Sequence, residues 1–366
     1  MQILDCTFRD GGYYTNWTFD QELVIKYLNL CNEGLCNIVE LGLRTLQSGT
    51  YLGPHAYTCK DFFQICKNYK KIKYSVLVNW KDISLDPFSE SKLFYQDSKD
   101  DIIDIVRIAL RYDEILKTKS FIKSLKSKGY IVTINIQNCD NLIDKNIKKI
   151  SDELEIIDPD ILYLADTNGC LEPKITTNLI NKLQRNIEIP IGVHMHNNKG
   201  LALANSLSAV TAGASYVDTT ITGIGRGPGN AQTEYFTPYF YDLSTEILKN
   251  ISSLINIYFY PLKNKKHWGD NFYYYLSGKF NQSASLMHEK LLHKDYDNNC
   301  LVQLATSNQK SPISSYELIT NKVAIFKYIE ATAAIFANGS SWKIEKNNIL
   351  SYLKNLNPIT CHINFP

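Results

Sequence analysis

The sequence of 366 residues contains no apolar run that approaches the roughly 20 residues needed for a membrane-spanning helix. Its first residues, MQILDCTFRD, lack the basic region and apolar core of a secretory signal, so we expect a cytoplasmic protein. The nine cysteines include no C-x-x-C pair. Their odd number and scattered spacing argue against a disulfide framework and a structural zinc site, and they fit reduced thiols.

Long runs of charge of one sign are absent as well. Lys and Arg total 39 against 37 Asp and Glu, which gives a net charge of +2. The basic stretches KNYKKIK (67–73) and KNKKHW (263–268) are short, and we interpret them as solvated faces. This balance predicts no nucleic-acid partner and no membrane partner.

The first 230 residues alternate short strands, rich in Val and Ile, with longer amphipathic stretches. Strands are predicted at 2–6, 37–42, 73–79, 103–109, 130–136, 161–165, 191–195 and 216–222. Segment 20–34 has a helical period, with Asp20 as its N-cap and Gly34 as its stop. Eight β–α units predict an α/β fold, the (β/α)₈ TIM barrel. A doubly wound sheet ranks lower, because DGGYYTNW after the first strand is not G-x-G-x-x-G.

This alternation stops after about residue 260. Residues 261–271 read as a polar connection, and the stretches that follow look helical. We therefore predict a TIM-barrel catalytic domain over residues 1–262 and a smaller C-terminal helical domain over 263–366. The region 258–280 is rich in Tyr and Phe and could pack against a second subunit, which leaves a homo-oligomer open.

Two histidines end predicted strand 7, in the motif VHMHN. His194 and His196 are two residues apart on a strand, so their side chains point to the same face. The catalytic groups of a TIM barrel lie at this carboxyl end of its strands. The pair predicts a metal site, and the alternative is a pair of hydrogen-bonded core histidines.

Further ligands should come from the neighbouring strands. Barrel closure places strand 8 between strands 7 and 1, which brings Asp10 after strand 1 and Asn230 after strand 8 towards the histidines. Two nitrogens and a carboxylate, with the amide as a further candidate, suit a divalent ion with open positions for substrate oxygens. Mn²⁺ or Mg²⁺ fits best, while Zn²⁺, Co²⁺ and Fe²⁺ remain open. Non-haem iron oxygenases use similar ligands, so the ligands alone do not name the reaction.

An acid and a base accompany the predicted metal site. Glu40 lies inside an apolar strand and needs a partner, and Arg9 at the end of the neighbouring strand is the natural one. The pair could be purely structural. It could also hold the Arg9 guanidinium beside the metal, where it would stabilise an enolate oxygen. The two glycines after Arg9–Asp10 are expected to let the backbone turn sharply.

Five motifs in order, DCTFRDGG, VELG, ADTNG, VHMHN and GIGRGPGN, carry a resemblance over residues 1 to about 235. They resemble the DRE-TIM metallolyases, a family that includes 4-hydroxy-2-oxovalerate aldolase, 3-hydroxy-3-methylglutaryl-CoA lyase, and isopropylmalate and homocitrate synthases. The resemblance implies that Asp10, His194 and His196 bind a divalent metal that chelates a 2-oxo acid. It also implies that Arg9 stabilises the enolate and that Thr167 helps to bind the substrate carboxylate.

Departures from the family's motifs narrow the choice among its members. The loop TGIGRGPGNA lacks the cysteine of the acyl-CoA lyases, and Gly12–Tyr13 replaces the Glu-Gln of the isopropylmalate-type synthases. The loop is most similar to the aldolase form. The aldolases, however, place an acid/base histidine where this chain has Tyr13. The proton could be moved by Tyr13, by a metal-bound water or by His55, whereas Tyr13 could also be a packing residue and His55 a surface loop residue.

Together these residues predict a divalent-metal-dependent (class II) aldolase, a carbon–carbon lyase. It would make or cleave a 4-hydroxy-2-oxo acid from a pyruvate-like 2-oxo acid and an aldehyde through a metal-bound enolate. Arg226 and Asn135 are further candidates for substrate contacts. The alternatives are an acyl-CoA-dependent Claisen-type lyase or synthase, and a barrel in which the metal is only a structural staple.

Overall fold

The computed structural model describes residues 1–306 apart from residues 47–48, 59–61, 87, 144, 146 and 293–295. Eight parallel strands follow one another in sequence order around a closed barrel, and the last pairs with the first. The strands are β1 (Gln2–Asp5), β2 (Ile38–Leu43), β3 (Lys73–Asn79), β4 (Ile105–Arg111), β5 (Ile131–Gln137), β6 (Ile161–Asp166), β7 (Ile191–Met195) and β8 (Tyr216–Thr219). The predicted TIM barrel is thus confirmed. Strand β8 ends earlier than predicted, because Thr222 turns the chain out of the sheet with a left-handed φ of 54°.

Helices follow the strands around the barrel and continue beyond it. In the described part of the chain they are α1 (Thr7–Thr15), α2 (Gln21–Leu30), α3 (Pro54–Tyr57), α4 (Trp80–Leu85), α5 (Ser89–Leu93), α6 (Lys119–Ser127), α7 (Ile147–Ile157), α8 (Pro173–Gln184), α9 (Ala202–Thr211), α10 (Thr233–Phe236), α11 (Thr245–Leu254), α12 (Tyr260–Lys266), α13 (Phe272–Lys279), α14 (Ala284–Leu292) and α15 (Asn298–Thr306). The Asp20 carboxylate caps α2 by accepting from the amides of Glu22 and Leu23, as predicted. A search of the described helices finds none with the length and apolar character of a membrane span.

The segment after β1 is a helix, and the expected sharp turn at the two glycines is wrong. Helix α1 begins directly after Cys6, and the amide of Asp10 donates to the Cys6 carbonyl over 3.0 Å, the first turn of the helix. Gly12 lies inside the helix without a positive φ. Its small size is required for another reason: a Cβ there would lie 2.2 Å from the indole ring of Trp17.

The residues of each strand alternate between two apolar layers. One set packs against the surrounding helices and includes Ile3, Val39, Val106, Leu162 and Val193. The other lies inside the barrel and comprises Leu4, Cys6, Ile38, Ile105, Ile161 and Tyr163. Gly192 makes room for this inner layer, because a Cβ there would lie 2.5 Å from the Tyr163 ring. The inward positions nearer the carboxyl ends of the strands carry the polar residues described below.

The chain divides by contact density into a compact unit of Met1–His288, which contains the barrel, and a second unit of Glu289–Pro366. Helix α15 is the element described wholly within the second unit. C-terminal helices are therefore present, in agreement with the predicted fold class. The predicted boundary between residues 262 and 263 stays a prediction, and the helical stretches predicted after residue 306 lie outside the described residues.

Candidate metal centre at the barrel mouth

The two histidines of the VHMHN motif meet at the barrel mouth, by which we mean the carboxyl ends of the strands and the loops that follow them. His194 is the fourth residue of β7, and His196 follows the strand directly. Their Nε2 atoms lie 3.2 Å apart, and both side chains are largely buried. Met195 between them packs into the core under the helices. The alternation predicted from the sequence is thus present.

Hydrogen bonds on the far side of each ring fix the tautomers of the two histidines. Nδ1 of His194 lies 3.0 Å from the Asp218 carboxylate, and Nδ1 of His196 lies 2.8 Å from the Thr167 carbonyl. Because a carbonyl and an ionised carboxylate only accept, both Nδ1 atoms carry the hydrogen. Burial and the neighbouring His194 lower the pKa of His196 to about 3, so this ring is neutral. With both Nδ1 positions occupied by hydrogen, the two Nε2 atoms face each other, an arrangement that is favourable only with a cation or a proton between them.

Asp10 brings a carboxylate to the same place. Its Oδ2 atom lies 3.7 Å from His194 Nε2, and it accepts a 2.7 Å hydrogen bond from Asn230 Nδ2. Burial alone would raise the pKa of Asp10, but the Arg9 guanidinium beside it holds that pKa below its ordinary value. The Oδ1 atom of Asn230 is buried and has no hydrogen-bond partner in the described part of the chain. Asn230 is therefore placed both to orient Asp10 and to offer an oxygen of its own.

Arg9 connects two acids at the edge of this centre. Its Nε atom lies 2.5 Å from Glu40 Oε2, and its Nη1 atom lies 2.7 Å from Asp10 Oδ1. The Arg9–Glu40 contact expected from the sequence is present, but Arg9 also pairs with its neighbour Asp10. The guanidinium is held from two sides, which fixes its orientation before any ligand binds.

A second arginine, Arg107 of β4, lies fully buried in the barrel interior. Arg107 Nη1 donates to Glu40 Oε1 over 2.9 Å, and Nη2 donates to Asp218 Oδ2 over 2.6 Å. Its guanidinium also stacks on Tyr163, with Cζ 4.3 Å from the ring centre. A chain of ion pairs thus runs from Arg9 through Glu40 and Arg107 to Asp218, and a hydrogen bond extends it to His194. Asp218 was missed, although an acid inside the apolar strand YVDT is the signal that singled out Glu40.

Cys6 was also missed, because the cysteines were interpreted together as reduced thiols. Possible ligand atoms of Cys6, Asp10 and His194 all lie within 4.8 Å of one another. The Cys6 thiol points at the Thr219 carbonyl, 3.4 Å away, and at Asp10 Oδ2, 3.7 Å away. Burial, with the Asp10 charge adding to it, raises the pKa of this thiol well above its ordinary value, so it is a protonated donor here. Barrel closure had placed the end of β1 beside β8, but the direction of the Cys6 thiol towards Asp10 could not be read from the spacing.

Tyr13 and Arg226 lie together at the rim of the mouth, in contact with each other. Tyr13 is 40% exposed, and its ring meets Trp17 edge-on at 4.8 Å. The Arg226 guanidinium lies over the Tyr13 ring, with Cζ 4.3 Å from the ring centroid. Tyr14, the next residue, is buried and ties α1 to the glycine-rich loop by a hydroxyl group that donates to the Gly225 carbonyl over 3.1 Å.

The other predicted substrate residues have partners within the protein. The Thr167 hydroxyl accepts from the Asn138 amide over 2.8 Å, and its carbonyl holds His196 as described above. Asn135 Oδ1 accepts from the Thr133 hydroxyl over 2.7 Å. Thr167 therefore acts on the centre through His196. Direct contacts of Thr167 and Asn135 with a substrate stay predictions.

His55 is not a surface loop residue, contrary to the interpretation favoured from the sequence. It is fully buried, and its Nδ1 atom lies 2.6 Å from the Leu41 carbonyl. Its ring packs among aromatic rings that include those of Phe8 and Phe19. Burial lowers the pKa of His55 to about 4. The residue belongs to the core beneath α1, which leaves it without the access to substrate that an acid/base group needs.

The donor set fits a divalent cation. Two nitrogens held about 2.1 Å from one ion at a right angle would lie about 3 Å apart, close to the 3.2 Å between the facing Nε2 atoms. Both Nδ1 atoms donate to oxygen acceptors, the arrangement usual for metal-binding histidines. The Asp10 carboxylate and the unpartnered Asn230 Oδ1 atom add oxygen donors beside them.

Fold and site together define a class: a parallel barrel with a histidine–carboxylate centre for a divalent cation at its mouth. The sequence profile of the HMGL-like family matches residues 104–257. The chain is 29% identical over 240 residues to 4-hydroxy-2-oxovalerate aldolase of Geobacillus genomosp. 3, covering 64% of this chain and 68% of that one. It is 32% identical over 190 residues to 2-isopropylmalate synthase of Methanocaldococcus jannaschii, covering 50% and 34%.

Among solved structures, the chain is similar to the N-terminal domain of a Bacteroides vulgatus protein provisionally described as an aldolase. The TM-score is 0.74 and the identity 30%, and the match covers 83% of this chain and 99% of that one. The chain belongs to the HMGL-like family, and its relatives support an enzyme of the lyase and aldolase type. This confirms the family resemblance stated from the sequence motifs.

Proposed function

We propose that the protein is a divalent-metal-dependent aldolase that makes or cleaves a 4-hydroxy-2-oxo acid. Its partners would be a pyruvate-like 2-oxo acid and an aldehyde. The observation that carries the proposal is the pair of facing Nε2 atoms of His194 and His196, with the Asp10 carboxylate and the Arg9 guanidinium beside them. The aldolase named among the relatives gives it independent support.

The proposed ligands are His194, His196 and Asp10, with Asn230 as a fourth. A divalent ion bound there would act as a Lewis acid that polarises the carbonyl of a 2-oxo acid. Mn²⁺ or Mg²⁺ is the proposed ion, with Co²⁺ or Zn²⁺ as alternatives.

Arg9 is the proposed electrostatic catalyst. Glu40 and Asp10 hold its guanidinium on two sides, so its remaining N–H groups need no reorganisation when negative charge develops on an enolate oxygen. Glu40 contributes by fixing this orientation and is in turn held by Arg107. Removal of one preorganised oxyanion donor in other enzymes raises the reaction barrier by about 3–4 kcal/mol, and we expect a contribution of this order from Arg9.

The charge balance of the buried centre favours an anionic substrate. The carboxylates of Asp10, Glu40 and Asp218 face the guanidiniums of Arg9 and Arg107, which leaves one negative charge when the histidines are neutral. A divalent cation converts this to one positive charge. A buried net charge needs a partner, and the carboxylate of a 2-oxo acid supplies it.

Proton transfer is assigned in this proposal to Tyr13, which stands at the rim of the mouth. A phenol can exchange a proton with a substrate when it lies within hydrogen-bond reach. Tyr13→Phe keeps the ring against Trp17 and should slow proton exchange of the substrate. An unchanged exchange rate would move the role to a metal-bound water.

The experiment is deuterium uptake into the methyl group of pyruvate in D₂O, followed by mass spectrometry, with no aldehyde present. The wild type should catalyse uptake with Mn²⁺ or Mg²⁺ and lose it on chelation. Asp10→Asn should lower the rate at least about 100-fold. Asp20→Asn, at an exposed position where asparagine can still cap α2, is the matched control and should retain the wild-type rate. No uptake with any divalent ion, across a panel of 2-oxo acids, would refute the pyruvate-type enolate.

The alternative is an acyl-CoA-dependent Claisen-type reaction, and the 32% identity with an isopropylmalate synthase favours it. It keeps the metal ligands and Arg9 but replaces the aldehyde by a thioester. Thiol release from acetyl-CoA in the presence of a 2-oxo acid would decide for it, and deuterium uptake together with aldehyde-dependent product formation would decide against it.

A further inference from the structure

Arg226 is an arginine at the rim of the mouth without a carboxylate partner. Arg9, Arg44 and Arg107 each form an ion pair. Among the residues that the structure describes, no carboxylate lies within ion-pair distance of Arg226. Its guanidinium instead stacks on the Tyr13 ring, whose centroid lies 4.3 Å from Cζ. Stacking leaves the edge of the guanidinium, which carries the N–H groups, free to bind.

The backbone on both sides of Arg226 is held in place. The Tyr14 hydroxyl donates to the carbonyl of Gly225 and accepts from the amide of Gly227, each over 3.1 Å. Gly227 has a left-handed φ of 62° and packs against the ring of Tyr274. The guanidinium is thus presented by a fixed turn and a fixed aromatic platform, which lowers the ordering cost of binding a ligand.

The same loop leads directly into the metal centre. Asn230, which bonds Asp10, ends the loop, and a Cβ at Gly225 would lie 2.6 Å from its Nδ2 atom. A molecule held at the centre therefore lies beside the loop that carries Arg226.

We infer that Arg226, supported by the Tyr13 ring, binds a carboxylate or phosphate group of the aldehyde and so selects anionic aldehydes over neutral ones. The inference rests on the proposed aldolase function. Within that function, the 2-oxo acid carboxylate is accounted for at the centre beside Arg9, so the anion at the rim belongs to the second substrate. A guanidinium binds both oxyanions through paired N–H groups.

The test compares kcat/KM for aldehydes matched in length, with pyruvate as the donor. Succinic semialdehyde is paired with butanal, and glyceraldehyde 3-phosphate with glyceraldehyde. The wild type should prefer the anionic member of at least one pair by about 10–100-fold, the worth of a hydrogen bond to a charged group. The pair in which the anionic member is preferred shows whether the bound group is a carboxylate or a phosphate. A higher salt concentration should reduce the preference.

Variants connect the preference to these two side chains. Arg226→Gln should bring the ratio of kcat/KM for the anionic aldehyde to that for the neutral one close to one. Tyr13→Leu should reduce this ratio, because it removes the ring on which Arg226 stacks. Tyr13→Phe keeps the ring and should keep the ratio, whatever its absolute rate. Arg185→Gln, at an exposed arginine after α8, is the control and should match the wild type.

The outcomes separate the inference from the function on which it rests. A wild type that exchanges pyruvate protons but shows ratios near one in both pairs overturns the inference and leaves the aldolase proposal standing. Retention of the wild-type ratio by Arg226→Gln overturns it as well. Absence of pyruvate exchange refutes the aldolase proposal first, and the inference falls with it.

Discussion

At the scale of single residues, Asp218 controls which nitrogen of His194 faces the centre. Its Oδ2 atom accepts from both His194 Nδ1, over 3.0 Å, and Arg107 Nη2, over 2.6 Å. The carboxylate thereby keeps the hydrogen on Nδ1 and leaves Nε2 with a lone pair. An amide at this position could instead donate to Nδ1, which would put the hydrogen on Nε2 and block it as a ligand.

We therefore expect Asp218→Asn to weaken the binding of Mn²⁺ by about 10–100-fold, the usual effect of losing the acceptor behind a metal-binding histidine. The measurement is a titration of free Mn²⁺ by electron paramagnetic resonance. Asp5→Asn is the matched control: Asp5 is a buried strand carboxylate that bonds Tyr27 and Thr233 but no histidine. Equal Mn²⁺ affinities of the two variants would contradict the role given to Asp218.

The centre was predictable from the sequence where spacing along one strand was sufficient. His194 and His196 needed only the two-residue period, and Asp10 needed only the neighbouring position of β1 in a closed barrel. Arg107 and Asp218 escaped because their roles depend on which strand residues meet across the barrel interior. That register is set by strand stagger and tilt, which no local pattern reveals.

At the scale of elements, helix α1 explains why two glycines follow Arg9–Asp10. A Cβ on Gly12 would lie 2.2 Å from the Trp17 ring, whereas a Cβ on Gly11 would lie 2.9 Å from the end of the Ile224 side chain. The rigid indole is packed between the Tyr13 ring and an apolar cluster that includes Leu43 and Ala56, so it cannot move away. The tip of an isoleucine can. The sequence suggested a turn here because glycine pairs usually mark one. In the structure the glycines lie in a helix, and Gly12 is needed there because the Trp17 ring packs directly against it.

We expect Gly12→Ala to lower the free energy of unfolding by about 1–3 kcal/mol through overpacking against Trp17. Gly11→Ala is the control in the same helix, and its cost should be offset by the better helix propensity of alanine, about 1 kcal/mol. Urea unfolding of both variants measures the difference. A Gly12→Ala protein as stable as Gly11→Ala would show that the indole is not fixed.

The strands themselves were predictable because a strand covered on both faces is a run of branched apolar residues. Seven of the eight observed strands begin on the predicted residue or within one residue of it. Helix α1 and the short helices after β2 and β3 were not predicted, since each is stabilised by contacts distant in sequence. Helix α3 is an example: the amide of His55 donates to the Trp17 carbonyl over 3.1 Å. Tertiary contacts thus decide the loops that build the site.

At the scale of the whole molecule, buried titratable groups link stability to pH in opposite directions. Burial lowers the pKa of His55 from 6.5 to about 4. Between these values the unfolded chain binds a proton that the folded chain excludes, so stability falls as the pH drops. Burial raises the pKa of Glu234 from 4.5 to about 7, so this group makes stability fall as the pH rises through that window. The plot of the wild-type free energy of unfolding against pH is therefore the sum of the two contributions. A variant that lacks one of the two groups is needed to isolate either contribution.

For His55 the expected effect is a loss of about 3 kcal/mol in the free energy of unfolding as the pH falls from 6.5 to about 4, with little change above or below. His55→Gln should lack this contribution. The free energy of unfolding of the wild type minus that of the variant should therefore fall by about 3 kcal/mol between pH 6.5 and about pH 4. Phe19→Leu loosens the same aromatic cluster, with ring centres 5.1 Å apart, without altering a titratable group. Phe19→Leu should lower the free energy of unfolding by the same amount at every pH. Urea unfolding at closely spaced pH values provides the measurement, and a His55→Gln curve parallel to that of the wild type would mean that the folded protein accepts the proton on His55.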